Sequence, residues 1–564
     1  MFTHLHLHTH FSFGLGVSSP EVLAQAAAER GFGALACTDT NGVYGAVEFQ
    51  RACDAVGVRP ILGAHLVADG QEVVALALNE QGWAALCRVI TQVHWRKRDS
   101  GAREDVLAEE GAQGVDIKDR EGLILISRDV DFLEQTLHLS GPENLYAELR
   151  PGRRRHETLA AARRLGLPTV ITNGVVAANA EDWSRHRLLR AIALNTTLSA
   201  LPAEEVWPHG AWLCSTDELA RHFPDCPEAI RAAMDIAERC AYRIPIGQRI
   251  VPPRVADTGS AFAQLRQLTL EGARWRYPAI TPELSDRLDL ELGIIGQKGF
   301  ADYFLVVRDI VRHAPTHCGR GSVANSVVSY CLGITHVDPI RCGLIFERFL
   351  NLERQDPPDI DLDFPWDERD KVLAYVFRHY PRMHSAMVAN HNTFQPRGAL
   401  REVAKVHGRP AGEIREVTRR IPFFYETGER LDKLIATHPN FRGLQVGSNW
   451  QVFARAAESL VGVPRHLSVH PGGVVITPSA LTDYVPVECA AKTLDGYPDL
   501  PVPVIQFEKD GTEDAGLVKI DLLGNRSLAV IRDAIDAVHG HTSHRIDYTS
   551  SAAGDDEGAA VTLS

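Results

Sequence analysis

From Phe2 to about Pro245, short apolar runs alternate with alanine-rich stretches of helical period. PEVLAQAAAERG and GAVEFQRACDAVG repeat apolar residues every three or four positions, whereas FGALACTD, RPILGAHLVA and EVVALALN are compact apolar runs of strand length. Strand and helix in turn predict an α/β domain with a largely parallel sheet that closes as a barrel. Proline and polar residues interrupt the period at 251–259 (VPPRVADTG), which predicts a linker. Beyond it the pattern predicts helices through Leu288–Ala314, a glycine-containing turn at Cys318–Ser322, another helix, and a strand at Pro358–Phe364. Residues 392 to about 439 read as helical and basic, and His466–Leu523 returns to strands. No internal repeat is visible, and Ser550–Ala560 is small, polar and acidic.

Composition narrows the class. A chain of 564 residues exceeds one core and implies about three to five domains. Hydrophobic content of 45%, charged content of 23% and a mean hydropathy of -0.12 describe an ordinary globular protein. The opening MFTHLHLHTHFSF has neither a cationic start nor a long apolar run, and no membrane-length apolar stretch follows, so a cytoplasmic protein is expected. Ten cysteines are scattered without a CxxC pair, which fits a reducing compartment. The net charge of -13 excludes a chain coated in basic residues but leaves room for a local basic groove.

The candidate chemistry lies in two acidic strands and a glycine turn. In PDIDLDF, Asp359, Asp361 and Asp363 alternate with Ile360, Leu362 and Phe364, so a strand places the carboxylates on one face. Like charges at that spacing repel, and divalent metal is the natural remedy. LVKIDLL, at Leu517–Leu523, puts Lys519 and Asp521 on one face in the same way. Three carboxylates from two adjacent strands can hold two Mg²⁺ ions about 4 Å apart, as phosphoryl transfer requires. Upstream, CGRGSVANSVVSYCLGIT offers Gly319, Arg320, Gly321 and Ser322 before an apolar helix, a combination suited to cradling phosphate. Either motif alone is also compatible with a solvated strand edge or a plain turn.

Together the motifs are specific. The run GRGSVANSVVSYCLGITHVDPIRCGLIFERFLNLERQDPPDIDLDF closely resembles the palm signature of bacterial C-family DNA polymerases, the alpha-subunit type of DNA polymerase III, whose palm is polymerase-beta-like. HPGGVVITP (His470–Pro478) and VIQFEKDGTEDAGLVKIDLLG (Val504–Gly524) resemble the second palm segment in order and spacing. The resemblance implies that Asp361, Asp363 and Asp521 are the catalytic Mg²⁺ ligands, with Asp359 secondary. It assigns Gly321 and Ser322 to the nucleotide phosphates, and Arg320, Arg348 and Lys519 to the triphosphate or primer end. The insertion NTFQPRGALREVAKVHGRP resembles the thumb, with Arg397, Arg401 and Lys405 spaced to grip duplex backbone.

HLHLHTH and ACTDTNG resemble the opening of a PHP domain, in which His6, His8 and Asp39 match metal ligands. Other ligand positions differ from the family pattern. Thr40 stands where a histidine is expected, His65 in GAHL where an acid is expected, and TNGVV replaces TNDVH through Gly174 and Val176. The resemblance therefore implies a degenerate exonuclease site in a structural domain, with residual Zn²⁺ or Mn²⁺ binding at most.

The expected architecture is multidomain, α/β followed by α+β. A PHP-type barrel (1–250) precedes a palm (251–391 and 466–530) with a helical thumb insertion (392–465), and the fingers begin at 531–564. The expected function is DNA-directed DNA synthesis from deoxynucleotides on primer-template DNA, in replication or error-prone, damage-tolerant synthesis. VANSVVSYCLGIT and the altered PHP positions favour the error-prone branch. Partners expected from the family are other replisome subunits and, through a carboxy-terminal region not visible in these residues, a sliding clamp; no membrane is involved. Two alternatives remain: an incomplete, inactive polymerase that only binds, and a PHP metal phosphoesterase.

Overall fold

The computed structural model describes residues 2–99, 114–117, 119–152, 154–253, 259–353, 358–422, 430–444, 447, 449–542 and 546. The expected linker at 251–259 and the expected start of the fingers at 531–564 lie largely outside these residues.

The first sheet has six strands in sequence order: β1 (Ala34–Thr40), β2 (Arg59–Ala68), β3 (Gln71–Ala77), β4 (Leu123–Ser127), β5 (Leu145–Leu149) and β6 (Thr169–Ile171). Helices cover it where the alanine-rich runs predict them. Pro20–Glu29, for example, starts at Ser19, whose side chain accepts from the Val22 amide, with Pro20 in the first turn. The sheet is not largely parallel. β1–β2 and β4–β5–β6 are parallel, but β2–β3 and β3–β4 are antiparallel. The reason lies between β2 and β3, where Asp69 and Gly70 both take positive φ, 49° and 84°, in a two-residue hairpin turn. The amino-terminal segment joins the sheet's ends. Ala36 and Thr38 of β1 donate to the His4 and Leu7 carbonyls, while Val175, just past β6, donates to the His6 carbonyl and accepts from the His8 amide.

The second sheet is mixed, with strands β7 (Cys318–Arg320), β8 (Asp361–Pro365), β9 (Ser385–Thr393), β10 (Pro464–Ile476), β11 (Val487–Cys489), β12 (Pro503–Ile505) and β13 (Lys519–Asn525). Their order across the sheet is β11-β12-β9-β10-β13-β8-β7. Each of its faces serves a different core, because side chains alternate along a strand. Met387, Val474, Ile520, Leu522, Leu362 and Phe364 pack into a core with the helices Pro282–Lys298 and Ala301–Val311. Ala386, Val388, Val475, Val487 and Ile505 point the other way and join the core of the first sheet. Between β9 and β10 the chain leaves to form helices Pro396–Val406, Ala411–Thr418, Leu431–Thr437 and Asn449–Glu458. These build a third core that includes Leu188 and Leu189 from the first domain. The expected boundary at 530 falls inside one continuous helix, Arg526–His541. Among the described residues, no helix is long and apolar enough to cross a membrane.

Directional bonds complement the shared core. Trp83 Nε1 donates to the Tyr484 carbonyl at 2.8 Å, Trp95 Nε1 to the Val487 carbonyl at 3.0 Å, and the Val487 amide to Thr91 Oγ1 at 3.0 Å. Gln506, fully buried, accepts from the Val43 amide at 2.9 Å and donates to Glu488 at 2.8 Å and to the Asn41 carbonyl at 3.3 Å. Gln506→Ala strands the Val43 amide in the interface and is expected to cost about 2 kcal/mol in urea unfolding. An unchanged midpoint would remove this residue from the interface's energetics.

Candidate active site and histidine cluster

β13 lies parallel to β8 with Asp521 directly opposite Asp361, and β7 lies antiparallel to β8 with Arg320 opposite Asp361. Since Leu362, Phe364, Ile520 and Leu522 face the helical core, Asp361, Asp363, Lys519 and Asp521 share the other face. This is the face whose far half is buried against the first domain, so the acidic half stands beside that domain. Asp359 is exposed just ahead of β8.

Cations hold the carboxylates. Arg320 Nη1 lies 3.2 Å from Asp361 Oδ2, and its Nε lies 3.1 Å from Asp363 Oδ1. Lys519 Nζ, almost wholly buried, lies 2.6 Å from Asp521 Oδ2. Asn525 Nδ2 donates to Asp363 Oδ2 at 2.9 Å, while its Oδ1 caps the helix Arg526–His541 by accepting from the Leu528 amide. Asp521 Oδ1 is buried without a hydrogen-bond donor. His470 Nδ1 is 3.6 Å from that oxygen, but it accepts the Gly472 and Gly473 amides and so has no proton to offer. Burial raises the Asp361 carboxyl, with Arg320 opposing and Asp521 adding to the rise. Burial alone would lower Arg320; its pairing with Asp363 and Asp361 outweighs that and raises it.

The other sequence-predicted residues fall around this centre. Gly321 takes φ +73°, a conformation suited to glycine, and an added Cβ would come 3.8 Å from Asp361 Oδ2. Ser322 Oγ donates to the Asp359 carbonyl at 3.4 Å. The helix that follows the glycine turn does not offer open amides to a phosphate. Residues Gly321–Asn325 form a 3₁₀ turn, and buried Glu291 accepts from Ser326 Oγ and from the Val327 and Val328 amides. Arg348 is exposed in the turn Phe346–Arg348, and no contact among the described residues joins it to the aspartates. Arg397, Arg401 and Lys405 line one exposed face of the helix Pro396–Val406. Arg397 also donates to the Ile421 carbonyl, and Arg401 contacts Glu402.

In the first domain, His6, His8 and His65 are the group among the described residues whose potential ligand atoms lie within 4.8 Å of one another. Asp39 does not join them. Its oxygens accept from the Thr9 amide and hydroxyl, Ser12 Oγ and Cys37 Sγ. His4 instead reaches the Cys214 carbonyl, and His10 packs edge-on against Phe11. Hydrogen-bond partners assign the tautomers of the first pair. His6 Nδ1 donates to Glu148 at 2.6 Å, and His8 Nδ1 donates to Ser12, whose own proton goes to Asp39. With those tautomers the two Nε2 atoms, 3.1 Å apart, present their lone pairs to each other. Burial lowers His6 to about 4 and lowers His8 well below the ordinary histidine value, so both rings are neutral at neutral pH. Two basic nitrogens facing each other can hold one borderline cation. His65 Nε2 is 3.3 Å from Glu72.

The rest of the pocket is filled. The Trp207 ring lies 5.3 Å from His6, 4.9 Å from His8 and 6.3 Å from His65, and the Arg150 guanidinium lies over it at 4.9 Å. Gly174 makes room for that ring, since a Cβ there would come 2.2 Å from it. Behind it, buried His186 donates to the Leu15 carbonyl and accepts from the Trp207 amide.

Burial lowers His186 to about 4, so above its unfolded value of 6.5 both states are neutral and its stability contribution is complete. Below 6.5 the unfolded chain takes up a proton that the native chain refuses. Unfolding free energy is expected to fall as pH drops from 6.5 towards 4, with a shallower slope in His186→Gln. Identical slopes in urea titrations would count against this.

Comparison with known proteins bears on both regions. Residues 263–524 match the family model described as bacterial DNA polymerase III alpha NTPase domain, and residues 4–149 match the PHP domain model. An error-prone DNA polymerase of Symbiobacterium thermophilum is 36% identical over 95% of this chain and 52% of its own length. DNA polymerase III subunit alpha of Bacillus subtilis is 32% identical over 99% of this chain and 51% of its own. An error-prone DNA polymerase of Mycobacterium tuberculosis is 34% identical over 94% and 50%. The chain thus spans about half the length of these curated relatives.

Proposed function

Because the chain belongs to the bacterial DNA polymerase III alpha family, we propose that it carries the nucleotidyl-transfer centre of a DNA-directed DNA polymerase, with Asp361, Asp363 and Asp521 as its metal-binding carboxylates. The observation that carries this reading is the register of β8 and β13, which sets Asp361 opposite Asp521, together with the buried, donorless oxygen of Asp521. An oxygen-only donor set with an unanswered charge fits Mg²⁺. Asp361, Asp363 and Asp521 would hold two such ions, which would supply positive charge for the attacking 3′-oxygen and the departing pyrophosphate.

The protein's own groups position and balance charge. Lys519 fixes Asp521, and Asn525 fixes Asp363 from the start of the helix Arg526–His541. Gly321 and Ser322, beside the carboxylates, are assigned to the nucleotide phosphates, with Arg320 supplying charge; Arg348 is the more distant candidate for that role. The O3′–Pα bond forms as the bond to pyrophosphate breaks, and no protein covalent intermediate is needed. In this reading residues 251–391 and 466–530 are the palm. Residues 392–465 are the thumb, where Arg397, Arg401 and Lys405 grip DNA backbone without reading sequence. Residues 531–564 lead towards the fingers. Error-prone synthesis is favoured over replication by the resemblance of VANSVVSYCLGIT and by the altered PHP site.

The test is primer extension on a primed template with Mg²⁺ and four deoxynucleotides. Extension is expected, and Asp361→Asn with Asp363→Asn is expected to lower it at least about a thousandfold, in line with the several kcal/mol of charge stabilisation metals supply. Extension that survives the double substitution would refute the carboxylate assignment.

The first domain (1–250) is proposed as a structural PHP unit that holds at most one residual ion, Zn²⁺ or Mn²⁺, on His6, His8 and His65. The tryptophan-filled pocket and the diversion of Asp39 favour this over an exonuclease or phosphoesterase site. Elemental analysis is expected to find no more than one Zn²⁺ per chain, lost in His8→Ala. Two or three ions would restore the hydrolase reading.

A further inference from the structure

The two cations at the acidic centre differ in how they are held. Lys519 is 7% exposed and sits on Asp521 in the floor of the sheet. Arg320 is 47% exposed, at the last position of β7, and its one guanidinium spans Asp361 and Asp363. It can swing outward on its own side-chain bonds without moving the strand. Asp363 would keep its place when that happens, because Asn525 holds its second oxygen.

A guanidinium lying across two carboxylates and a divalent ion bound to the same pair repel each other at contact distance. We propose that Arg320 is an exchangeable counter-cation, which neutralises Asp361 and Asp363 in the absence of metal and yields them when metal arrives, turning to the polyphosphate that accompanies it. The inference rests on the metal-binding reading of the carboxylates given above. Arg320 then competes with metal that comes alone and cooperates with metal that comes with an anion. By linkage, nucleotide and metal favour each other's binding, with Arg320 as the element both displace. A cost is thus placed on loading metal before substrate.

The experiment follows Mn²⁺ binding to the whole chain by electron paramagnetic resonance, without nucleotide or DNA. It counts only the component that Asp361→Asn with Asp363→Asn abolishes. Arg320→Gln and Arg320→Met, neutral replacements of similar length, are expected to bind Mn²⁺ about tenfold more tightly than the parent, within the usual range of coupling between sites. In metal-free buffer both should melt at a lower temperature than the parent, and Mn²⁺ should raise their melting temperature by more. Equal or weaker Mn²⁺ affinity in both variants, with the carboxylate-dependent component intact, overturns the proposal and leaves the metal reading standing. Absence of any carboxylate-dependent component, in parent and variants alike, overturns both.

Discussion

Asp361 and Asp521 stand opposite one another on adjacent parallel strands, and two like charges in that register are tolerated only when positive charge answers them. Much of the centre can be read as that answer. Lys519 reaches Asp521 from two residues away on the same strand face, and Arg320 reaches Asp361 and Asp363 from the neighbouring strand. Gly321 lets the chain turn away immediately beside them. The His470–Gly473 segment bulges out of β10 next to Asp521, where the β9–β10 register shifts. One carboxylate oxygen remains unanswered, and the proposed chemistry begins from it.

Only one face of the sheet that presents these groups has a core of its own. One face is filled by its own helices and the other, along β9 to β12, by the first domain. The helical insertion leans on the first domain as well, through Leu188 and Leu189. Whatever its own chemistry, the histidine-bearing domain therefore supports the strands that carry the acidic centre. Its contribution is apolar area and a few directional bonds, delivered to the half of the sheet that does not bear the carboxylates.

How far the sequence reveals this depends on the range of each interaction. The alternation in PDIDLDF and LVKIDLL is local, and it orients Asp361, Asp363, Lys519 and Asp521 before any fold is known. The Asp69–Gly70 hairpin was equally local, and its dipeptide signals antiparallel strands more strongly than the surrounding strand–helix rhythm signals parallel ones. His65 is detectable as a histidine in a position where the PHP pattern carries an acid. The remaining partners come from distant segments. Glu291 fills the amides near Ser326 from 35 residues upstream, Trp207 enters the histidine pocket from the far end of the domain, and Asn525 meets Asp363 across 162 residues. Nothing in the spacing of a linear chain reports such meetings.

The Gly174–Trp207 contact ties two distant positions of this domain together. A Cβ at residue 174 would come 2.2 Å from the indole, so any larger residue there requires the ring to move. Removing the tryptophan first would open a void against His6 and His8 and leave Arg150 without its aromatic partner. Either change alone is therefore expected to destabilise the pocket. The glycine and the tryptophan therefore constrain one another, and the shape of the histidine pocket depends on both.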